Sequence, residues 1–449
     1  MCRDFMMTDE TKSAFVLKIQ ALAAKLPNQL GDQSWAFEPY LAVSNPDAQN
    51  LINLLMDDVC AEWAASFPHR KPSRVTEQKF IDCGSVILAN LMRAKCNKWP
   101  TTIGMYRSQG ALDRERRYRL QYMTADRFVL VQDWLNKAGH IEMVKRGFNL
   151  PGHSQTSRFA LTEKGEAELQ VDDWTFADFR VDRGKEAIRM KNTKDRLCGY
   201  DDTPETVAMR ARLDEINATL DATDIETTRP LTNHDRKPEY QGRKVRLHRV
   251  FNRGSFDLGG RFYGGWWQNV KSHVRPAITI DGQHTIEADF SGFNPAVLLA
   301  EAGQPIPDDP YSPIVGTDAP TELRDHAKAT LAAYLNARSG TTEEPRDFAS
   351  ARWGMTAEDF RAKVLDAFPM VPAMLATDKG MKLQRLESDL AEAIMLHFVR
   401  QGHAILPIHD AFIVQADLER ELVQVMKDSF KARLGQVPHV KVTRSYALR

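Results

Sequence analysis

The stretch Thr285-Ile-Glu-Ala-Asp-Phe-Ser-Gly-Phe-Asn-Pro-Ala-Val-Leu-Leu-Ala-Glu-Ala-Gly303 changes its apolar spacing half-way along. Up to Phe290, apolar and polar side chains alternate, which indicates a strand, and an Asp281-Gly282 turn predicts that this strand forms a hairpin with residues 277–280. After that point the spacing becomes helical. Asp289 is therefore expected at the end of a strand just before a helix, where a carboxylate can hold a divalent cation.

A second acidic residue with a similar setting lies far down the chain. In Ile405-Leu-Pro-Ile-His-Asp-Ala-Phe-Ile-Val-Gln415, two apolar runs flank His409-Asp410, which predicts a hairpin with the carboxylate at its bend. Carboxylates on separate strand ends suit two-metal phosphoryl transfer, in which each cation stabilises one of the attacking and leaving oxygens. A lone acidic residue beside an apolar run is usually only a capped strand end, so this interpretation depends on Asp289 and Asp410 together.

These two segments resemble the first and third palm motifs of the family A DNA polymerases and the related single-subunit, phage-type RNA polymerases. The Arg and Lys of Arg324-Asp-His-Ala-Lys328 resemble the pair on the fingers helix that grips the incoming triphosphate in that superfamily. Independently of the resemblance, residues four apart on a helix share a face, so both cations reach the same volume. An ordinary solvated cationic stripe is the alternative.

Further upstream, Gly260-Arg261 and Gln268-Asn269 are similar to the segments that line the primer-template in the same enzymes. Cations precede and interleave with aromatic residues and glycines here, a mixture that suits a phosphate backbone and flat bases. Trp266 and Trp267 are alternatively core residues. The resemblance covers about residues 195 to 449, and its matches occur in the family's order.

The resemblance implies a set of site residues. Asp289 and Asp410 would hold two Mg2+ ions, or Mn2+ in their place, with the main-chain carbonyl of Phe290 as a third ligand. The nucleoside triphosphate would be bound by Arg324, Lys328, Asn294 and His409. Primer-template DNA or RNA would be bound by Arg261, Gln268, Asn269, Arg243, Lys244 and Arg246.

The polymer that such an enzyme makes stays open. Asn294 stands where the DNA polymerases carry a Glu that excludes the ribose 2′-OH and where the RNA polymerases carry Gly. The residues after Asp410 are Ala411-Phe412, closer to the RNA polymerases. We favour template-dependent DNA synthesis in replication or repair, without proofreading, since residues 1 to 195 carry no clustered acidic exonuclease motif. Alternatives are an RNA polymerase, a primase, a template-independent nucleotidyl transferase, or a non-catalytic winged-helix regulator that binds DNA.

We expect an α+β chain: a right-hand polymerase palm with an antiparallel sheet and helical fingers over residues 196–449, preceded by a helical segment (1–70) and a winged-helix-like domain (71–195). Helices are predicted at residues 11–26, 50–67, 75–95, 124–138, 360–375 and 384–399, and a loop near Pro151 is the predicted wing. Basic residues in the winged-helix region suit phosphate contacts or form a solvated face: Arg93, Lys95, Lys98, Arg107, Arg114, Arg116, Arg117 and Arg119.

Composition sets outer limits on these interpretations. The 449 residues are 43% hydrophobic and 27% charged, which is ordinary for a soluble globular protein, and the formal net charge is zero. Any nucleic-acid surface must therefore be local. The five cysteines are scattered without a Cys-x-x-Cys pair, which disfavours a zinc ribbon or disulfide framework and fits a reducing cytoplasm. No apolar run is long enough to predict a membrane span.

Overall fold

The computed structural model describes residues 34–96, 100–107, 116–118, 120, 122–150, 153–181, 186–228, 246–337 and 348–444. The chain divides into two compact units, Met1–Lys185 and Glu186–Arg449. Both contain helices and mainly antiparallel sheets, so the predicted mixture of α and β structure is confirmed. No helix among the described residues is both long enough and apolar enough to cross a membrane.

The first unit packs helices against a small sheet. Its described helices are α1 (Pro46–Ala65), α2 (Arg74–Cys96), α3 (Ala125–Lys137) and α4 (Glu163–Glu168). Its strands are β1 (Trp35–Ala36), β2 (Leu41–Val43), β3 (Ile103–Met105), β4 (Ile141–Lys145), β5 (Phe148–Leu150), β6 (His153–Gln155), β7 (Ser157–Leu161) and β8 (Phe179–Val181).

The strands of the first unit form a four-stranded sheet in the order β1-β3-β7-β4 and two pairs, β2-β8 and β5-β6. The predicted order of helix, strand, loop, strand and helix from α3 to α4 is present except that the predicted loop contains the strand pair β5–β6. The segment predicted as a loop near Pro151 is flanked by paired strands, with Phe148 opposite Gln155. The winged-helix assignment itself stays a prediction, and the helix predicted at residues 11–26 lies outside the described residues.

The second unit begins with a four-stranded sheet and one long helix. Strands β9 (Ile188–Lys191), β10 (Leu197–Cys198), β12 (His248–Asn252) and β13 (Ser255–Tyr263) form the sheet in the order β10-β9-β12-β13. Helix α5 (Pro204–Ala222) follows β10, and β11 (Ile225–Thr227) joins the next sheet. The sequence placed a domain boundary near residue 195, but β9 and β10 pair with each other on either side of that position.

The second sheet of this unit carries the strand quoted first. Its order is β11-β14-β15-β17-β16, and β18 also pairs with β15. The strands are β14 (Ile278–Ile280), β15 (Gln283–Phe290), β16 (Leu406–Ile408), β17 (Ala411–Gln415) and β18 (Val440–Arg444). Both predicted hairpins are present, since β14 pairs with β15 and β16 pairs with β17, each antiparallel.

Helices surround this sheet. They are α6 (Phe293–Glu301), α7 (Ser312–Val315), α8 (Thr321–Asn336), α9 (Ser350–Trp353), α10 (Ala357–Ala367), α11 (Lys379–Val399) and α12 (Glu419–Leu434). The helix predicted through residues 360–375 was wrong in extent: α10 ends at Ala367, and a separate 3-10 turn spans Val371–Met374. Pro369 explains this, because proline disfavours helical backbone at the preceding residue, Phe368, whose ψ is 70°.

Candidate active site

Asp289 and Asp410 are brought to neighbouring strand ends. In the β15–β17 pair Asp289 lies opposite Ala411, the residue after Asp410, and in the β15–β18 pair it lies opposite Lys441. The main-chain N–H of Phe290 donates to the carbonyl oxygen of Asp410 at 3.4 Å. Strand pairing and this main-chain hydrogen bond therefore bring Asp289 and Asp410 together, although they are far apart in the sequence.

The carboxyl groups of the two acidic residues influence each other. Burial raises the pKa of Asp289, and the negative charge of Asp410 raises it further, while the positive charge of Lys328 opposes both effects. Burial also raises the pKa of Asp410, against the positive charges of Arg261 and Lys328. Two half-buried carboxylates that lie close together repel each other, and a bound cation would relieve this repulsion.

The donor set fits a magnesium or manganese ion that keeps several non-side-chain ligands. Among the described residues there is no group of three or more His, Cys, Asp and Glu side chains that could enclose a metal. Mg2+ is commonly held by one or two carboxylates together with waters and substrate phosphates. Asp289 and Asp410 match that pattern, so the remaining ligands would have to come from the main chain, water and substrate.

Lys328 and Asn294 lie on two different helices of the second unit. Lys328 is on α8, its side chain is exposed, and its charge acts on both Asp289 and Asp410. Asn294 is in the first turn of α6 and is half-buried. The charge of Lys328 therefore acts on the acidic pair, and the role of Lys328 in binding a nucleotide stays a prediction.

Arg324 is engaged within the protein rather than extended into the site. Its Nε donates to Asp309 Oδ2 at 2.8 Å, and its guanidinium carbon lies 4.8 Å from the centre of the Tyr311 ring. A ligand that binds Arg324 through Nε would therefore compete with Asp309. The charges of Asp410 and Asp289 both act on the Tyr311 hydroxyl, whose pKa burial raises.

Tyr311 is a site residue that sequence reasoning missed. It is 4% exposed, and Gly292, which has a φ of 61°, packs against its ring. A Cβ at position 292 would lie 2.9 Å from Tyr311 Cε2. The Asp-Pro-Tyr sequence before α7 gave no periodic signal, and only the packing of α6 and α8 brings this tyrosine beside the acidic pair.

Arg261 is held in a two-pronged ion pair with Glu387 on α11. Its Nε donates to Glu387 Oε1 at 2.7 Å, and its Nη2 donates to Glu387 Oε2 at 2.5 Å. Burial and the negative charge of Asp410 raise the pKa of Glu387 to about 7, while Arg261 opposes this. Arg261 therefore faces the acidic pair already fixed by a partner that the sequence did not identify.

His409 occupies the bend of the β16–β17 hairpin with strained backbone. Its φ of 60° is in the left-handed region, which non-glycine residues seldom adopt. Burial, with a contribution from Arg261, lowers the pKa of His409 to about 4, so the ring is neutral near pH 7. Its Nδ1 is buried without a hydrogen-bond partner in the part of the chain that the structure describes.

A buried charge network ties β12 and β13 to α11. Arg249 is 0% exposed, and its Nε donates to the carbonyl of Gly260 at 2.9 Å. Its other nitrogens donate to Glu392 at 3.0 Å and Ser388 at 3.0 Å. This network fixes the strand that carries Arg261 against the helix that carries Glu387.

The Gln268-Asn269 segment divides into a structural and an exposed residue. Gln268 Nε2 donates to the carbonyls of Phe262 at 2.9 Å and Pro407 at 3.1 Å, so it braces the fold rather than projecting outward. Asn269 is exposed. Trp266 and Trp267 are 5% and 0% exposed, which makes them core residues.

The basic residues expected to bind a strand are mostly paired or lie outside the description. Arg243 and Lys244 are not among the described residues. Arg246 is paired with Asp214 at 2.7 Å, which removes the isolated cation that the sequence implied.

In the first unit, Arg93 is 4% exposed, so burial removes it from a phosphate-binding surface. Lys95 pairs with Glu166, and Arg107 pairs with Asp133. Arg117 is half-buried. Lys98, Arg114, Arg119 and the side chain of Arg116 lie outside the description.

No protein-family model matches the chain, and no curated protein matches it either. Among solved structures, the chain is similar to the polymerase domain of Pol1 from M. smegmatis in complex with a DNA primer-template and dNTP. The identity is 12%, the TM-score is 0.30, and the match covers 96% of this chain and 72% of that chain. A TM-score of this size is too low to establish a common fold.

Proposed function

We propose that this protein is a nucleic-acid polymerase, a nucleotidyltransferase that extends a 3′ end with nucleoside triphosphates by two-metal chemistry. The observation that carries the proposal is the meeting of Asp289 and Asp410 at adjacent strand ends, with the charge of Lys328 acting on both. Phosphoryl transfer is catalysed mainly by positioning and by electrostatic stabilisation, and this constellation supplies both.

The chain's own residues have separable roles in this proposal. Asp289, Asp410 and the carbonyl of Phe290 would hold two Mg2+ ions, or Mn2+. Bound Mg2+ would stabilise the attacking and leaving oxygens and the charge of the transferred phosphoryl group. Lys328 supplies a point charge to the triphosphate, and Arg324 supplies a planar fork once it leaves Asp309. Asn294 would face the nucleotide.

The strand being extended would approach from the side of Arg261 and His409. Arg261 is fixed by Glu387, so the protein does not have to order a flexible cation when the strand binds. The neutral His409 ring lies next to Asp410 without adding charge to the site. Asn269 is exposed and available to the same strand, whereas Gln268 would act by supporting the turn.

Primer extension with Mg2+ tests the proposal directly. Wild-type protein is expected to extend a primed template, and Asp410→Asn is expected to reduce the rate by about 10^3-fold or more, because several kcal/mol of metal-dependent stabilisation is lost. Asp417→Asn is the matched control, since Asp417 is exposed just beyond the same hairpin. Undiminished synthesis by Asp410→Asn would reject the site.

Offering deoxyribonucleotides and ribonucleotides in parallel, with and without template, identifies the polymer. We propose templated DNA synthesis without proofreading, in which the polar side chain of Asn294, in the first turn of α6, would oppose the ribose 2′-OH of an incoming ribonucleotide. Preferential use of ribonucleotides, or synthesis without template, would instead assign an RNA polymerase, a primase or a terminal transferase.

A further inference from the structure

An exposed tyrosine lies beside the acidic pair and has no role in the chemistry described above. Tyr263 is the last residue of β13 and is 39% exposed, although the preceding residue, Phe262, is 3% exposed and belongs to the core. Alternation along a strand places Tyr263 on the same face as Arg261. A large ring is therefore presented at the surface in line with the fixed guanidinium.

Tyr263 is the middle member of a row of three rings. It lies opposite His248 in the β12–β13 pair, with ring centres 6.2 Å apart and planes inclined by 34°. Its ring also meets that of His409 edge to face, with centres 5.9 Å apart. The row extends to a cation, because Arg189 Nη1 lies 3.0 Å from His248 Nε2. The row thus runs from a cation on β9 to the residue adjoining Asp410.

The orientation of Arg261 leaves one edge of its guanidinium directed away from Glu387. The ion pair uses Nε and Nη2, and among the described residues Nη1 makes no hydrogen bond. The charge of Arg261 acts on the Tyr263 hydroxyl, so the two groups are close. A ligand packed on the Tyr263 ring would therefore have a donor at its edge.

We propose that Tyr263 is a stacking platform for the nucleobase at the 3′ end of the strand being extended, with Nη1 of Arg261 donating to the edge of that base. This inference rests on the proposed function and deepens it by naming a strand-binding residue. A flat ring beside a cation, here Arg261, is a general means of holding single-stranded or terminal nucleotides, because every base offers a π-face.

The position of the ring selects the terminal base rather than one further back. His409 precedes Asp410 directly in the chain, and Tyr263 contacts His409, so one ring separates the platform from the acidic pair. Tyr263 is 39% exposed, so part of its side chain is open to a ligand.

Binding without turnover tests this inference. Primer-templates ending either in a normal 3′ nucleotide or in a 3′ abasic nucleotide are titrated by fluorescence anisotropy in metal-free buffer with wild-type protein, Tyr263→Phe, Tyr263→Leu and Tyr263→Ala. Wild-type and Tyr263→Phe proteins are expected to prefer the normal terminus by about 5- to 100-fold, the range of base–aromatic stacking. Tyr263→Leu and Tyr263→Ala are expected to lose that preference and to bind the abasic primer as the wild type does.

Further readouts separate stacking from general damage. A 2-aminopurine at the primer terminus is expected to change its fluorescence on binding to the wild type and Tyr263→Phe, but not to Tyr263→Leu. Val207→Ala, which alters another exposed apolar residue of the same unit, should retain the full preference. Urea unfolding of each variant checks that the fold is kept.

The platform proposal would be overturned if Tyr263→Ala preferred the normal terminus as strongly as the wild type does. It would also be overturned if Tyr263→Leu preferred it as strongly as Tyr263→Phe does. Failure of the wild type to bind either primer would overturn it too. Loss of terminal-base preference in Tyr263→Ala together with undiminished synthesis by Asp410→Asn would leave the platform standing and remove the catalytic assignment. The two proposals therefore fail separately.

Discussion

The main-chain N–H of Phe290 donates to the carbonyl oxygen of Asp410. This bond and the sheet register on both sides of β15 fix the two strand ends independently of the carboxylates. The acidic pair is therefore preformed, and its mutual repulsion is present before any ligand binds.

Binding of Mg2+ is accordingly expected to stabilise the wild-type protein. At a hundredfold excess over its Kd, a ligand of the folded state adds about 2.7 kcal/mol to the free energy of unfolding. Urea unfolding with and without Mg2+ measures this difference. The Asp289→Asn/Asp410→Asn double variant should gain little from Mg2+ and should be at least as stable as the wild type without it. An equal gain in both proteins would place the metal elsewhere.

Gly292→Ala should impair activity more than stability alone explains. Alanine in the left-handed region costs about 1–2 kcal/mol, and its Cβ would also press on the Tyr311 ring. Gly303→Ala is a matched control, because Gly303 has a φ of 67° and nothing within 4 Å of the added carbon. Gly292→Ala should lose more stability than Gly303→Ala because of this added contact, and only Gly292→Ala should slow primer extension in the protein that remains folded. Equal rates in the two variants would show that the position of Tyr311 is unimportant.

Asp309→Asn should lower the KM for the nucleoside triphosphate by up to about fivefold. The carboxylate of Asp309 accepts a hydrogen bond from Nε of Arg324, and an ion pair with this degree of exposure is worth no more than about 1 kcal/mol. Steady-state incorporation at varied triphosphate concentration measures the effect. The control is Glu322→Gln, which breaks the exposed pair with Arg352 that also involves α8. A raised KM in Asp309→Asn would instead make Asp309 a positioning residue for Arg324.

Arg249→Met should destabilise the second unit by about 3–5 kcal/mol. The guanidinium is 0% exposed and satisfies Glu392, which is 7% exposed, so its removal leaves a buried carboxylate short of one partner. Arg400→Met breaks an exposed pair with Glu215 and should leave the free energy of unfolding almost unchanged. Urea titrations measure the free energy of unfolding of both variants. Similar losses would show that the buried network contributes no more to stability than the exposed ion pair.

The first unit should become less stable as the pH falls below about 6.5. Burial lowers the pKa of His140, so the unfolded state binds its proton more readily than the folded state, and the stability from neutral His140 is present above the unfolded pKa and lost below it. Glu168, Glu62 and Asp58 oppose this shift, and Lys164 reinforces it.

Unfolding of the first unit measured at pH 7.5 and pH 5.5 tests the direction. One proton changes the free energy of unfolding by at most about 1.4 kcal/mol per pH unit. His140→Gln should flatten the dependence, whereas His69→Gln, at an exposed position, should leave it unchanged. A dependence that survives in His140→Gln would assign it to other groups.

The sequence predicted the local elements of the site well. Alternating and helical spacing located both hairpins, the strand before α6 and the helix that carries Lys328, because these patterns record which face of each element is buried. The partners of individual side chains could not be predicted from these patterns. Glu387 for Arg261 and Asp309 for Arg324 depend on how α11 and the segment before α7 pack, and no periodicity reports that.

The contacts of basic residues were the least predictable from sequence. A run of arginines has the same sequence pattern whether its members are solvated, buried or paired. The sequence therefore did not show that Arg93 is buried and that Arg246 is paired with Asp214. Nothing in the sequence separated Tyr263 from the other aromatic residues of its segment. Only the fold shows that Tyr263 is exposed and that Trp266 and Trp267 are buried.

The order in which the ribosome delivers the strands has a consequence for biogenesis. Strand β15 emerges well before β17 and β18, the neighbours on its two edges from Ile286 onward. Until those strands appear, a nascent chain presents an unprotected edge next to Ile286, Ala288 and Phe290, which is the kind of surface that templates aggregation. The acidic pair and the protection of this edge thus form together, once β17 and β18 have been synthesised, and dependence on chaperones should be greatest before that point.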